Sequence, residues 1–216
     1  EIAQCLVGSE MCIRDREYMT KHQRILFSGN GYSKEWYEEA MRRGLPNIQS
    51  TIEAAPTLTT DKAVKLFEKF GIFTRVELES REEIIYETYA KTINIEALTM
   101  IDMAGKDIIP AVAAYTGELA NTVVTVKEAG APATAQTELL VEVDSLLAEA
   151  KKALKHLEEC TVDANKIENA KERAFYYKDV VDVAMTALRK PVDKLEMLVD
   201  SDIWPMPTYG ELMFEI

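Results

Sequence analysis

One unusually long run of helical periodicity constrains this chain more than any other feature. Ser80-Arg81-Glu82-Glu83 has capping-box spacing, with a start after Thr74 as the alternative. From there Ile84, Ile85, Tyr89, Ile93, Ala97, Met100, Ala104 and Ile108 recur at intervals of about three and four. A second set, Ile95, Leu98, Ile101 and Ile109, covers another face. A helix apolar on most of its circumference belongs at the centre of a bundle, so Ile93–Ile109 is expected to be deeply buried. Asn94, Glu96, Asp102 and Lys106 interrupt it too often for lipid, and Asp102 and Lys106 are spaced to pair. Pro110 is expected to kink this helix without ending it, because Val112 and then Tyr115 to Val126 continue the pattern.

Ala129-Gly130-Ala131-Pro132 breaks the chain, and two more helices follow. The first is predicted over Thr134–Glu159, with Leu139, Val143, Leu146, Ala150, Leu154 and Leu157 as its stripe. The second is predicted over Asn165–Val199, with Pro191 as a second kink. The tail from Ile203 to Ile216 is apolar but irregular and is expected to pack along the bundle. Upstream, Glu17 to Phe27 reads as the last turns of a helix that stops at Ser28-Gly29-Asn30-Gly31, where glycine permits positive φ. Ser33 caps a helix over Lys34–Arg43, and Thr60 caps another over Asp61–Phe70, ended by Gly71. Leu45 to Thr59, with Pro46 and Pro56, reads as an irregular crossover. The fold class expected is all-α: long kinked helices in an antiparallel bundle, preceded by short helices and that crossover.

The first sixteen residues, EIAQCLVGSEMCIRDR, fit none of this. They lack the apolar stretch and small-residue cleavage site of a signal peptide, and Glu10 to Arg16 resembles a translated sequencing-library end. A native disordered N-terminus is the alternative. The expected organisation is a non-native or disordered segment over 1–16, a linking region over 17–73, and a helical bundle over 74–216. On this reading the chain is a fragment that lacks its true upstream sequence.

Composition removes several classes of function. Scarce Gly (9) and Pro (7) argue against an all-β fold of many turns. With 37 acidic against 25 basic residues, the net charge of -12 disfavours nucleic acid and anionic membrane surfaces as partners. No uncharged apolar run is long enough to span a bilayer. Three Cys and two His are too few for a CxxC zinc site or a disulfide framework, and a reduced, cytoplasmic setting is expected.

Few residues carry candidate chemistry. Gly29-Asn30-Gly31 reads either as a helix cap and turn or as a phosphate-cradling nest, although it lacks a preceding strand and the Walker lysine. His156, flanked by Lys152 and Lys155, reads either as a solvated helix-face histidine or as a phosphate-accepting one. Neither His has a Glu three residues before it, as helical di-metal sites require. Cys160 has no partner at ligand spacing, and Glu82-Glu83 and Glu158-Glu159 read as solvated faces.

Four separated strings, in order, carry more information. RILFSGNGYSKEW (Arg24 to Trp36), KTINIEALTMIDM (Lys91 to Met103), YYKDVV with AM, LR and PVDKLE (Tyr176 to Glu196) and WPMPTYGELMF (Trp204 to Phe214) resemble the C-terminal portion of type III glutamine synthetase. The resemblance covers about Glu17 to Ile216. It implies an ATP-dependent ligase that joins ammonia to glutamate with Mg2+ or Mn2+ and works as a cytoplasmic homo-oligomer. It also implies that 17–73 is the end of the catalytic region with a helical linker, and that the catalytic, ATP-binding and metal-binding residues lie upstream of this fragment, so no site residue is assigned here. The expected role is non-catalytic and structural, with the upstream catalytic domain and neighbouring subunits as partners. A free-standing interaction or phosphotransfer module using His156 is the rival.

Overall fold

The structure, a computed structural model, describes residues 13–207 and 209–214, and it divides into two compact units after Glu53. In the first unit, α1 covers residues 13–21 and a 3-10 turn covers Gln23–Ile25, so the helix stops short of the expected Phe27. Residues 13–16 are helical, inside the stretch read as foreign to the fold; residues 1–12 lie outside those described. α2, Lys34–Arg42, is capped by the Ser33 hydroxyl, which accepts from the Trp36 N–H at 3.4 Å. Arg43 ties the end of α2 to the 3-10 turn: its guanidinium donates to the carbonyls of Gln23 (3.3 Å), Arg24 (3.0 Å) and Leu26. Neither Gly29 nor Gly31 has positive φ. What Gly29 supplies is space, since a Cβ there would sit 2.5 Å from the Phe27 ring. Asn30 makes the turn itself, its Oδ1 accepting from the Tyr32 N–H at 3.0 Å.

The crossover is less irregular than its two prolines suggest. α3 covers Thr51–Ala54 and a 3-10 helix covers Ala55–Thr59. The Ser50 hydroxyl accepts from the Glu53 N–H at 3.3 Å, and Pro56 stands in the first turn, where no N–H is needed. α4, Asp61–Lys69, is capped by Thr60.

The second unit, from Ala54 onward, contains the bundle. α5, Arg75–Met103, begins at Thr74 and not at Ser80. The Thr74 N–H donates to Glu77 at 2.7 Å and the Glu77 N–H donates back to the Thr74 hydroxyl at 3.4 Å. α6, Ile109–Glu128, continues the same rod through a π turn at Ala104–Ile108, where the Ile109 N–H reaches Ala104 O. The cause lies just downstream. Pro110 has no N–H, and its ring crowds the carbonyl four residues back, so the ladder widens by one residue ahead of it. Gly130, at φ 88°, closes the turn into α7, Thr134–Ala164. α7 runs past the expected Glu159 because Leu157, Cys160, Thr161 and Ala164 extend its buried stripe. α8, Ala170–Tyr176, passes through a second π turn, Tyr177–Val181, into α9, Asp182–Glu196. Pro191 lies inside α9 without interrupting the helical run. A short α10, Tyr209–Phe214, forms in the tail.

Two core clusters give the helix directions. Ala97 and Ala104 meet Leu157 and Leu154 together with Tyr177, Val181 and Leu188. Val112 and Leu119 meet Val143 and Leu146 together with Leu195 and Val199. Numbers rise along the α5–α6 rod as they fall along α7, and rise again along α8–α9, so α7 runs antiparallel to both neighbours. The central rod is not buried all round. Its buried positions in α5 are Leu78, Tyr86, Ala90 and Ala97, whereas Ile95 is 64% and Leu98 49% exposed. Small alanines let the helices approach, and the bulk of the core comes from α7, α8 and α9.

Candidate functional site

His156 is exposed on α7, and its ring nitrogens lie 3.6 and 3.8 Å from the Cys160 sulfur. Burial, then the charges of Asp163 and Glu159, push the Cys160 thiol above its ordinary value. That thiol is therefore neither an activated nucleophile nor an anionic partner that would orient the imidazole. Lys155 is drawn toward Glu159 at 4.0 Å. The structure brings His156, Lys155 and Cys160 onto one stretch of helix.

The carboxylates behave differently from a uniformly solvated face. Glu82 is largely enclosed: the Thr59 hydroxyl donates to it at 2.6 Å, the Tyr86 hydroxyl at 2.8 Å, and Lys171 lies 4.0 Å away. It joins the 3-10 segment, α5 and the start of α8 through one side chain. Burial, reinforced by the Glu82 hydrogen bond, holds the Tyr86 hydroxyl far above the usual tyrosine range. Periodicity could not reveal this hub, because Thr59 and Lys171 are distant in sequence. Asp102 and Lys106 do form the ion pair their spacing predicts.

Among the described residues, no group of three His, Cys, Asp or Glu is placed to hold a metal ion. Glu82, already engaged by three neighbours, is not free for such a role. A groove of about 340 Å³ between the first π turn and α9 is lined by Met100, Ile108, Leu188, Val192, Trp204 and Met206. It is apolar apart from a rim of Arg189, Asp193 and Glu196, the first two ion-paired, so it can take an apolar group.

Outward-facing apolar side chains are the more prominent feature. At the joint of α4 and α5, Leu66, Phe70, Ile72 and Val76 are all more than half exposed. No helix of the described residues is long and apolar enough to cross a membrane.

The glutamine synthetase C-terminal domain family matches residues 13–127, more than half of the chain. The chain belongs to the glutamine synthetase family. A glutamine synthetase of Butyrivibrio fibrisolvens is 39% identical over 93% of this chain, and the type-3 glutamine synthetase of Dictyostelium discoideum is 35% identical over 92%. A glutamine synthetase of Bacteroides fragilis is 33% identical over 92%. The chain spans only 28–29% of the length of these relatives. This glutamine synthetase region is all-α, and its match to the family begins at residue 13, ahead of the Glu17 from which the resemblance was read.

Proposed function

We propose that the chain is a non-catalytic, C-terminal helical region of a type III glutamine synthetase, and that it supports the rest of that enzyme structurally. The parent activity on this reading is the synthesis of glutamine from glutamate, ammonia and ATP with a divalent cation, carried out by residues upstream. The region supports a homo-oligomer in the cytoplasm, covering the catalytic part of its own chain and contributing to contacts with neighbouring subunits.

One observation carries this reading. Phe70 is 65% and Val76 73% exposed, beside Leu66 and Ile72, all at the joint of α4 and α5. Exposed apolar side chains gathered at one joint favour contact with another piece of protein. The exposed His156 of the phosphotransfer reading has, by contrast, a protonated thiol as its neighbour.

The test is made in a full-length type III enzyme carrying this region. Phe70→Asp with Val76→Asp should dissociate or misassemble the oligomer and lower ligase activity with it. His156→Ala should leave both unchanged. Loss of activity in His156→Ala with assembly intact would favour the phosphotransfer reading.

A further inference from the structure

The outer face of α5 carries a pattern with a centre of symmetry. Along this face lie Ile84, Thr88, Lys91, Ile95, Leu98 and Asp102, spaced three or four residues apart. Ile84, Ile95 and Leu98 are 58%, 64% and 49% exposed, and the Lys91 and Asp102 side chains 70% and 57%. In a chain of net charge -12, this face carries one cation and one anion. The two sit at equal distances from the point midway between Glu96 and Ala97, and so do Ile95 and Leu98. Their neighbours obey the same symmetry: Lys91 pairs with Glu87 at 2.8 Å, and Asp102 pairs with Lys106.

We propose that this face binds a second copy of the chain through antiparallel, twofold-symmetric packing of α5 on α5. In that register Ile95 of each copy meets Leu98 of the other. Lys91 meets Asp102 of the second copy, and Glu87 meets its Lys106. Each end of the contact is then a quartet of alternating charge around an apolar centre, which a twofold axis makes twice. Other registers set Lys91 and Asp102 against apolar or like-charged residues, so the charges select the register. The face from Ile84 to Asp102 is roughly 27 Å long at the rise of an α-helix. One helix pair of that length is at the small end of specific interfaces, so association is weak and reversible in the chain alone. This deepens the oligomer-supporting role proposed above, and rests on it, by naming a surface and a register.

Sedimentation velocity of the whole chain over a wide concentration range tests it. The chain should form a reversible dimer, and Ile95→Asp should abolish it. Lys91→Glu alone and Asp102→Lys alone should each weaken dimerisation by roughly tenfold or more, since like charges then face each other. The double variant Lys91→Glu/Asp102→Lys should restore it, because both quartets regain alternating sign. Circular dichroism melts control for folding. A chain that stays monomeric, or single reversals without effect, or a double variant no better than the singles, overturns the α5 pairing. The Phe70/Val76 test reads a different surface, so its outcome still decides the structural role independently.

Discussion

The Tyr177 hydroxyl donates to Asn94 Oδ1 at 2.8 Å, and Asn165 Oδ1 lies 3.2 Å away. Tyr177 is 1% exposed and begins the second π turn, so this contact fastens α5, the end of α7 and the α8–α9 rod at one buried point. Removing the hydroxyl leaves amide groups in a partly desolvated place without their partner. Tyr177→Phe should therefore cost about 1–3 kcal/mol, seen as a lower urea midpoint with the same slope. An unchanged midpoint would mean that water replaces the hydroxyl without loss.

The alanine stripe of α5 sets a reversed order of mutational sensitivity. Ala97 is fully buried between α7 and the α8–α9 rod, so Ala97→Leu should overpack the core and cost about 1–3 kcal/mol. Leu157→Ala should open a cavity and cost about 2–5 kcal/mol. Leu98→Ala, on the outer face, should stay within about 0.5 kcal/mol at concentrations low enough to keep the chain monomeric. Thermal unfolding of the three variants checks the ranking.

That ranking marks where the sequence was readable and where it was not. The order of the long helices and their antiparallel direction follow from periodicity, from Ser33 and Thr60 as caps, and from Gly44, Gly71 and Gly130, each at positive φ, whereas the short helices α3 and α10 fall in stretches that read as irregular. The burial expected all round Ile93–Ile109 fails at Ile95 and Leu98, because periodicity records apolar spacing, not what packs opposite. Two apolar stripes on one helix look alike whether one meets α7 or faces outward. The capping box at Thr74 had a competing signal at Ser80, and the reciprocal hydrogen bonds decide between them. Glu82 and Tyr177 were out of reach, since both act through residues remote in the chain. No site residue is assigned in this region, and the functional proposal rests on family membership.

The Glu82 hub gives an alkaline signature. Tyr86 is neutral in the folded protein, and burial beside Glu82 raises its pKa above that of an unfolded tyrosine. Its contribution is thus complete below the ordinary tyrosine pKa and is lost as pH rises above it, because only the unfolded chain then releases the proton. The unfolding midpoint should fall with increasing pH from about 10 upward, and Tyr86→Phe should flatten that fall. Equal alkaline slopes in the two proteins would remove Tyr86 as the cause.

Thr74 and Glu77 give the acid counterpart. Hydrogen bonds from the Thr74 N–H and hydroxyl hold the Glu77 carboxyl below its ordinary value. A depressed pKa stabilises the fold above the unfolded value and loses that effect as pH falls through the folded one. Thr74→Ala should cost about 1 kcal/mol at neutral pH, the usual worth of an N-cap, and less in acid. A cost independent of pH would separate the cap from the titration of Glu77.

Complementation measures the central claim most directly. The part of a type III glutamine synthetase upstream of this region would be produced alone, then together with this chain as a separate polypeptide. Assembly and ligase activity would be recorded for each preparation. The account predicts no turnover by this chain alone, an upstream part that fails to assemble properly, and recovery of assembly and activity when the two are combined. An upstream part that assembles and works unaided, or heat-sensitive turnover by this chain alone, would contradict it.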